Sequence, residues 1–296
     1  LDPNAANAYT NRGRAYDKKG QYDRAIEDYD KAIALNPNFA WAYFAYFYRG
    51  NAYANKGQYD RAIEDYNKAI PLNPPNGTEV YFARGNAYYY KGQYGKAIED
   101  YSKVIALDPN DADAYFNRGV AYSKERQFQK ALDDLNKSVT INPSNGMVYR
   151  ARGSMYAEMK RYDKAIEDFS KAIKLKPGDT ALYIERGTFY DANGQYNLAI
   201  NDYKMAIELK PELGEKHPMY VFLGIAHIGN GDYDRAIQVL SKAIVLSSDS
   251  FEAYYWRGVA YAKLVNYQRA IDDFKIAARL GNKNAQDALL ELGEKW

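Results

Sequence analysis

Apolar residues along the chain recur at spacings of three and four, which places them on one face of an α-helix. In the stretch 23–35 they fall at Ala25, Ile26, Tyr29, Ala32, Ile33 and Leu35. A shorter helical pattern with Gly13, Ala15 and Tyr16 precedes it and ends near Gly20. The linker Asn36-Pro37-Asn38 stops the second helix, since proline lacks a backbone donor and clashes with the preceding turn.

This two-helix pattern returns along the whole chain. The dipeptide Arg-Gly occurs seven times, at Arg12, Arg49, Arg84, Arg118, Arg152, Arg186 and Arg257, and Leu223-Gly224 stands where an eighth would fall. Successive glycines are 34 to 37 residues apart. Such a period indicates stacked helical repeats, each of which buries its apolar face against its neighbours. We therefore predict an all-α, right-handed superhelical solenoid of antiparallel helix pairs.

The period divides the chain into eight repeats and a tail. The predicted repeats are approximately residues 6–39, 40–77, 78–111, 112–145, 146–179, 180–213, 214–250 and 251–284, and residues 285–296 are predicted to form a capping helix. Together they make one solenoid over residues 1–296. A duplicated Ala-Tyr-Phe triplet within 42–47 predicts nearly one extra turn at the start of the second repeat.

Small residues indicate where the two helices of a repeat touch. The glycine of each repeat is predicted to face an alanine of the second helix, namely Ala25, Ala62, Ala97, Ala131, Ala165, Ala199, Ala236 or Ala270. Such small side chains allow helix axes to approach to about 8–10 Å.

An arginine next to this contact needs a partner. Three residues after the alanine stands an aspartate, at Asp28, Asp65, Asp100, Asp134, Asp168, Asp202 and Asp273. In the seventh repeat both change together, to Leu223 and Val239. Because an apolar pair can replace a buried ion pair whereas a lone charge is costly, we predict seven Arg–Asp pairs, each within its own repeat.

The glycine, the tyrosine three residues after it, the alanine, the aromatic or leucine at Tyr29 and its equivalents, and the linker proline resemble the tetratricopeptide repeat family. The resemblance covers residues 3 to 284, although arginine replaces the family's large apolar residue before the glycine. It implies that the first helix of each repeat lines an inner, concave wall where peptides or partner helices bind.

Candidate binding residues follow from those inner positions. They are Phe47, Asn51, Asn55, Phe82, Asn86, Tyr89, Tyr90, Phe116, Lys124, Arg150 and Tyr255. Aromatic rings offer contact area at little rotamer cost, and asparagine amides can bond a peptide backbone. We expect Phe47, Phe82, Tyr89, Tyr90 and Tyr255 to be exposed on the inner wall. The predicted function is a protein interaction scaffold that binds a protein or peptide in the groove.

Two alternatives stay open. The chain could associate end to end with another copy through its terminal repeats, or it could be the repeat region of a larger protein whose catalytic domain lies elsewhere. Leu1-Asp2-Pro3-Asn4 matches the linker Leu107-Asp108-Pro109-Asn110, so a targeting segment could be missing. The compartment is therefore undetermined, with the cytoplasm slightly favoured.

Composition excludes other classes of function. The formal net charge of +2 gives no bulk attraction to nucleic acid or anionic membranes, and the chain has no cysteine. His217 and His227 are the only imidazoles, and no metal-spaced cluster, phosphate loop or nucleophile elbow occurs. We expect no catalytic site, cofactor, metal, nucleic-acid partner or membrane insertion.

Overall fold

The computed structural model describes residues 3–35, 42–72, 77–212 and 219–296. Helices and turns make up these residues, and no strand occurs among them. The predicted all-α fold of helix pairs is confirmed. The linker Asn36-Pro37-Asn38 and His217 lie outside the described residues.

Two compact units make up the chain, Leu1–Ser144 and Asn145–Trp296, and each is described by itself. In the first unit, helices joined by a short turn pack side by side as pairs, and each pair contacts the next. Its helices are α1 (Pro3–Lys18), α2 (Tyr22–Leu35), α3 (Ala42–Asn55), α4 (Tyr59–Ala69), α5 (Thr78–Tyr90), α6 (Tyr94–Leu107), α7 (Ala112–Lys124) and α8 (Phe128–Ile141), with a 3-10 turn at Ile70–Leu72.

The second unit repeats this arrangement and ends in an unpaired helix. Its helices are α9 (Gly146–Glu158), α10 (Tyr162–Leu175), α11 (Thr180–Ala192), α12 (Tyr196–Leu209), α13 (Met219–Gly229), α14 (Tyr233–Leu246), α15 (Phe251–Lys263), α16 (Tyr267–Arg279) and α17 (Lys283–Glu291). Asn282 caps α17 by accepting a hydrogen bond from the Ala285 amide at 2.8 Å. Ala285 and Leu289 are buried against α16, whereas Leu292, just after the end of α17, is exposed.

The duplicated triplet lies within α3, which is described from Ala42 onward. The residues just before Ala42 lie outside the described part of the chain, so the extra turn at the start of the second repeat stays a prediction. Both copies of the triplet are accommodated because Tyr43 and Tyr46 are buried one turn apart.

The repeated glycine lies against the large side chain that follows the alanine by four residues. A Cβ atom on Gly50 would lie 2.6 Å from Cε1 of Tyr66, and one on Gly13 would lie 2.6 Å from Cε1 of Tyr29. In the fourth, fifth and eighth repeats the glycine also lies near the carbonyl oxygen of the predicted alanine. The large side chain therefore fills the space that the missing glycine side chain leaves.

The seven predicted Arg–Asp pairs are all present within their own repeats. Each is bidentate, as in the third repeat, where Nε and Nη2 of Arg84 each donate to a carboxylate oxygen of Asp100 at 2.7 Å. The other pairs join Arg12 to Asp28, Arg49 to Asp65, Arg118 to Asp134, Arg152 to Asp168, Arg186 to Asp202 and Arg257 to Asp273. These pairs join the first helix of a repeat to its second helix, and two parallel bonds fix the geometry.

The third guanidinium nitrogen reaches the preceding repeat, which the sequence analysis missed. Nη1 of Arg118 donates to Oγ of Ser102 at 3.0 Å, and Nη1 of Arg186 donates to Oγ of Ser170 at 2.9 Å. The same bond joins Arg49 to Asp30, Arg84 to Asn67, and Arg257 to Ser241. One arginine therefore holds its own helix pair together and also connects it to the repeat before.

Tyrosine rings surround the same arginines. The Arg84 guanidinium lies 5.8 Å from the ring centres of both Tyr81 and Tyr88, within range of a cation–π contact. The rings of Tyr115 and Tyr122 flank Arg118 in the same way. Part of the high tyrosine content thus shields buried guanidinium groups.

The seventh repeat departs from this scheme at several positions together. Leu223 replaces the arginine, Val239 replaces the aspartate, and His227 replaces the second tyrosine. In the preceding repeat, Lys204 stands where Ser102 or Ser170 supplies the acceptor. Without an arginine to donate, no acceptor is needed at Lys204, and Leu223 joins an apolar cluster.

Candidate functional site

Nine of the eleven candidate residues belong to the first unit. Helix α3 carries Phe47, Asn51 and Asn55, helix α5 carries Phe82, Asn86, Tyr89 and Tyr90, and helix α7 carries Phe116 and Lys124. These are first helices of successive repeats, and α3 contacts α1 and α5, while α5 contacts α7. We call this face of α1, α3, α5 and α7 the first-helix surface.

Two asparagines on this surface are held in place by buried tyrosines. The Tyr66 hydroxyl donates to Oδ1 of Asn51 at 2.7 Å, and the Tyr101 hydroxyl donates to Oδ1 of Asn86 at 2.8 Å. Both rings are 1% exposed, and burial raises the pKa of each hydroxyl. Because each amide oxygen accepts a hydrogen bond from the buried tyrosine, the amide nitrogen stays available as a donor at the surface.

An open cavity of about 410 Å³ lies between α1, α3 and α5. Its polar lining comes from Asp17, Asn51, Asn55 and Asn86, and the rings of Tyr59, Tyr66 and Tyr90 complete it. The rings of Tyr59 and Tyr90 are stacked with their centres 5.6 Å apart. This volume lies within the range of sites that hold a small ligand or a side chain.

Asp17 is the residue of this cavity that the sequence analysis missed. Its Oδ1 atom is buried without a hydrogen-bond partner among the described residues. Burial raises the pKa of its carboxyl. Asp17 is the fourth residue after Gly13, as the candidate Tyr89 is the fourth after Gly85, so the two residues occupy equivalent inner positions.

A second, smaller cavity of about 220 Å³ lies beside α1 and α3. Its lining residues are Asn7, Thr10, Asn11, Arg14, Phe44 and Tyr48. The Arg14 guanidinium lies 4.8 Å from the centre of the Tyr48 ring. Among the described residues Arg14 forms no ion pair, so its charge faces the cavity without a neutralising partner.

The expectation of openly exposed rings is correct for one of the five. Tyr90 is 67% exposed, whereas Phe47, Phe82, Tyr89 and Tyr255 are half-buried. Phe47 packs near Tyr66, with 6.2 Å between ring centres, and Phe82 packs near Tyr101 at 5.8 Å. The rings lean onto the aromatic residues of the second helices, and only part of each edge faces solvent.

The two candidates of the second unit have partners within that unit. Arg150 on α9 donates from Nε to Oε2 of Glu185 at 3.0 Å, and its Nη2 also donates to this carboxylate. These hydrogen bonds raise the pKa of Arg150. Tyr255 on α15 packs against Trp256 and Phe274. Arg150 is therefore already neutralised, unlike Arg14.

The described residues contain no group of three or more His, Cys, Asp or Glu side chains placed to hold a metal ion. His227 is buried, its Nδ1 lies 3.7 Å from an Asp232 oxygen, and burial lowers its pKa. None of the described helices has the length and apolar character needed to cross a bilayer.

Comparison with known families accounts for almost the whole chain. Models described as tetratricopeptide repeat match residues 6–39, 43–76, 112–145 and 147–179, and others match residues 180–213 and 223–285. A model described as TPR repeat matches residues 85–125. The chain belongs to the tetratricopeptide repeat family.

Known tetratricopeptide repeat proteins resemble parts of the chain. A Drosophila melanogaster protein described as tetratricopeptide repeat protein 36 homolog is 39% identical over 64 residues, which cover 20% of this chain. The match spans 35% of that protein's own length.

Two solved structures show the same kind of fold. The crystal structure of MamA is 32% identical, with a TM-score of 0.52 over 55% of this chain and 95% of that chain. YrrB, described as a TPR protein with an unusual peptide-binding site, is 21% identical, and its structure has a TM-score of 0.57 over 64% of this chain and 96% of that chain.

Proposed function

We propose that this tetratricopeptide repeat protein is a noncatalytic scaffold whose first-helix surface binds an extended segment of a partner protein. The family and its fold support a protein-interaction role. In the proposed complex, Asn51 and Asn86 donate hydrogen bonds from their amide nitrogens to backbone carbonyls of the partner. Tyr90 covers an adjacent side chain.

The observation that carries this proposal is the fixed orientation of Asn51 and Asn86. Equivalent buried tyrosines hold both amides in the same way, one repeat apart on α3 and α5. Preorganised donors lose little conformational entropy on binding, which favours recognition of an extended backbone. YrrB, which is described as having an unusual peptide-binding site, shares the fold and supports the same interpretation.

The proposal can be tested with a phage-displayed library of random linear peptides. Peptides selected on the parent protein should bind Tyr90→Ala about tenfold more weakly, since Tyr90 is exposed and its loss removes contact area without a fold defect. Tyr267→Ala is the matched control, because Tyr267 is 57% exposed on a second helix. Failure to select any peptide, or equal losses in both variants, would contradict the proposal.

The second candidate function is self-association through α1. Ala8 and Ala15 of α1 are exposed, whereas their equivalents on α3, Ala45 and Ala52, are buried against the preceding helix pair. A helix of another copy could cover this face. Sedimentation velocity over a range of concentrations should then show a dimer that Ala15→Glu dissociates and the exposed-site control Ala34→Glu leaves intact. A concentration-independent monomer would exclude this candidate.

A further inference from the structure

The carboxylate of Asp17 is a charged group without a counterion at the edge of the first-helix surface. Among the described residues, Asp17 and Asp191 are the two acids with a buried oxygen that lacks a hydrogen-bond partner. The fully buried acids among the described residues are the seven aspartates that pair with arginine, one in every repeat except the seventh. Burial without a partner is costly for a charge, so such a group is unusual unless a ligand completes it.

Two physical effects act against the ionised form of Asp17. Burial removes water from the carboxylate. Asp17 also lies in the last turn of α1, which ends at Lys18, and the helix dipole places partial negative charge there. Both effects would be relieved by a cation placed against the carboxylate.

The lysines in the turns of the next two repeats are paired with other acids. Lys56 donates to Asp23, and Lys91 donates to Asp60, each in the repeat before. Arg14, one turn earlier on α1, forms no ion pair with Asp17 among the described residues, and burial is the cause of the raised Asp17 pKa. A bound molecule could supply the cation that this carboxylate lacks.

The surroundings of Asp17 favour a basic side chain over a free metal ion. The described residues contain no cluster of three metal-ligating side chains. The cavity beside Asp17 instead combines amides of Asn51 and Asn86 with the stacked rings of Tyr59 and Tyr90. Aromatic faces accommodate the alkyl stem and the charge of lysine or arginine, and the amides can bond the adjoining backbone.

We propose that the cavity between α1, α3 and α5 is a subsite for a lysine or arginine side chain of the bound segment, with Asp17 as its counterion. This inference rests on the proposed function and specifies the chemistry of its ligand. It predicts that partner segments carry a basic residue at one fixed position. The neutral composition of the whole chain gives no hint of this preference.

Asp191 supplies a matched control. It occupies the same place after Gly187 that Asp17 occupies after Gly13, and it shares the buried, unpartnered oxygen. The first helix of the repeat that follows Asp191 is α13. It carries Ile225 and Gly229 at the positions equivalent to Asn51 and Asn55. Asp191 thus has the same local burial without neighbouring amides.

The test uses peptides selected from the random display library on the full chain. We expect enrichment of lysine or arginine at one position of the selected peptides. Replacing a selected lysine by norleucine, its uncharged analogue, should weaken binding to the parent and to Asp191→Asn by about tenfold or more. The same replacement should weaken binding to Asp17→Asn by less than about twofold, because the peptide's lysine has no counterion in that variant.

The outcomes separate this inference from the function on which it rests. Selected peptides without a basic preference, or an equal norleucine effect in the parent and in Asp17→Asn, would overturn the basic subsite and leave peptide binding standing. Selection of no peptide at all would overturn both. The norleucine comparison on the parent needs no protein variant, so a loss of less than about twofold there would overturn the basic subsite even if Asp17→Asn were poorly folded.

Discussion

Nη1 of Arg118 donates a hydrogen bond to Oγ of Ser102, which belongs to the preceding repeat, at 3.0 Å. Nε and Nη2 of the same guanidinium donate to the carboxylate of Asp134, which belongs to the same repeat as Arg118. These hydrogen bonds raise the pKa of Arg118. A single side chain therefore contributes to both the helix pair and the stacking of pairs, which are the two interfaces on which a repeat protein depends.

Removing this arginine should destabilise the fold strongly unless its partner is also removed. Arg118→Leu leaves Asp134 buried without a counterion, so the free energy of unfolding should fall by about 3–5 kcal/mol. Adding Asp134→Val should restore most of the loss, as Leu223 and Val239 do naturally. Urea unfolding followed by circular dichroism measures both variants. A double variant as unstable as the single one would show that the pair is not the cause.

The acceptor in the preceding repeat should matter only when an arginine follows it. Installing the pair as Leu223→Arg with Val239→Asp places a guanidinium near Lys204, where like charges repel and no acceptor is available. Adding Lys204→Ser should then raise the free energy of unfolding by about 1 kcal/mol. In the parent chain Lys204→Ser should change it little. Equal effects of Lys204→Ser in both backgrounds, compared by urea unfolding, would rule out this coupling.

The hydroxyl groups of the buried tyrosines should contribute differently to stability in different repeats. Tyr29 has a buried hydroxyl without a partner among the described residues, because Arg14 replaces the asparagine that serves Tyr66. Tyr29→Phe should therefore leave thermal stability unchanged or raise it. Tyr66→Phe should cost about 1 kcal/mol, since it leaves Asn51 without its donor. Similar losses for both variants in thermal unfolding would contradict this assignment.

Asp17 should make stability depend on pH in a defined direction. Its carboxyl has a pKa raised by burial above its ordinary value of 3.8, so the folded state binds the proton more tightly than the unfolded state. Its ionised form therefore costs stability above the raised pKa, and the cost disappears as the pH falls to the unfolded value. Asp17→Asn should be more stable than the parent at neutral pH.

That advantage should shrink as the pH is lowered toward the unfolded pKa. Urea unfolding of the parent and Asp17→Asn across this range gives the difference directly, and Asp28→Asn is the opposite control. The hydrogen bond from Arg12 holds the pKa of Asp28 below its ordinary value, so Asp28→Asn should lose stability at neutral pH. If the difference in free energy of unfolding between Asp17→Asn and the parent does not vary with pH, the charge of Asp17 does not destabilise the fold.

The sequence predicts the helix pairs and the Arg–Asp pairs because both follow from a period within one repeat. The joint change at Leu223 and Val239 identifies the pairing partner without any coordinates. The bond from Arg118 to Ser102 could not be assigned in the same way, since it depends on how two successive repeats stack. The change to Lys204 in the repeat before Leu223 is a sequence signal of this bond.

The site was harder to predict than the fold. Asn51 and Asn86 lie on the first-helix surface, but their hydrogen bonds with Tyr66 and Tyr101 depend on how the two helices of a repeat pack, which a repeat pattern does not specify. Four of the five candidate rings pack partly inward, because one spacing serves both core and surface aromatics. Asp17 was not predicted because the inner positions of its repeat carry no aromatic residue.

The link between repeats also limits how the number of repeats can change. If residues 78–111 were lost, Asn67 would meet Arg118, and an acceptor would again face a donor. If residues 180–213 were lost, Ser170 would meet Leu223, and the acceptor would have no donor. A change in repeat number between arginine-bearing repeats therefore keeps this hydrogen bond between neighbours, whereas loss of the sixth repeat alone would remove the bond that Ser170 now accepts from Arg186.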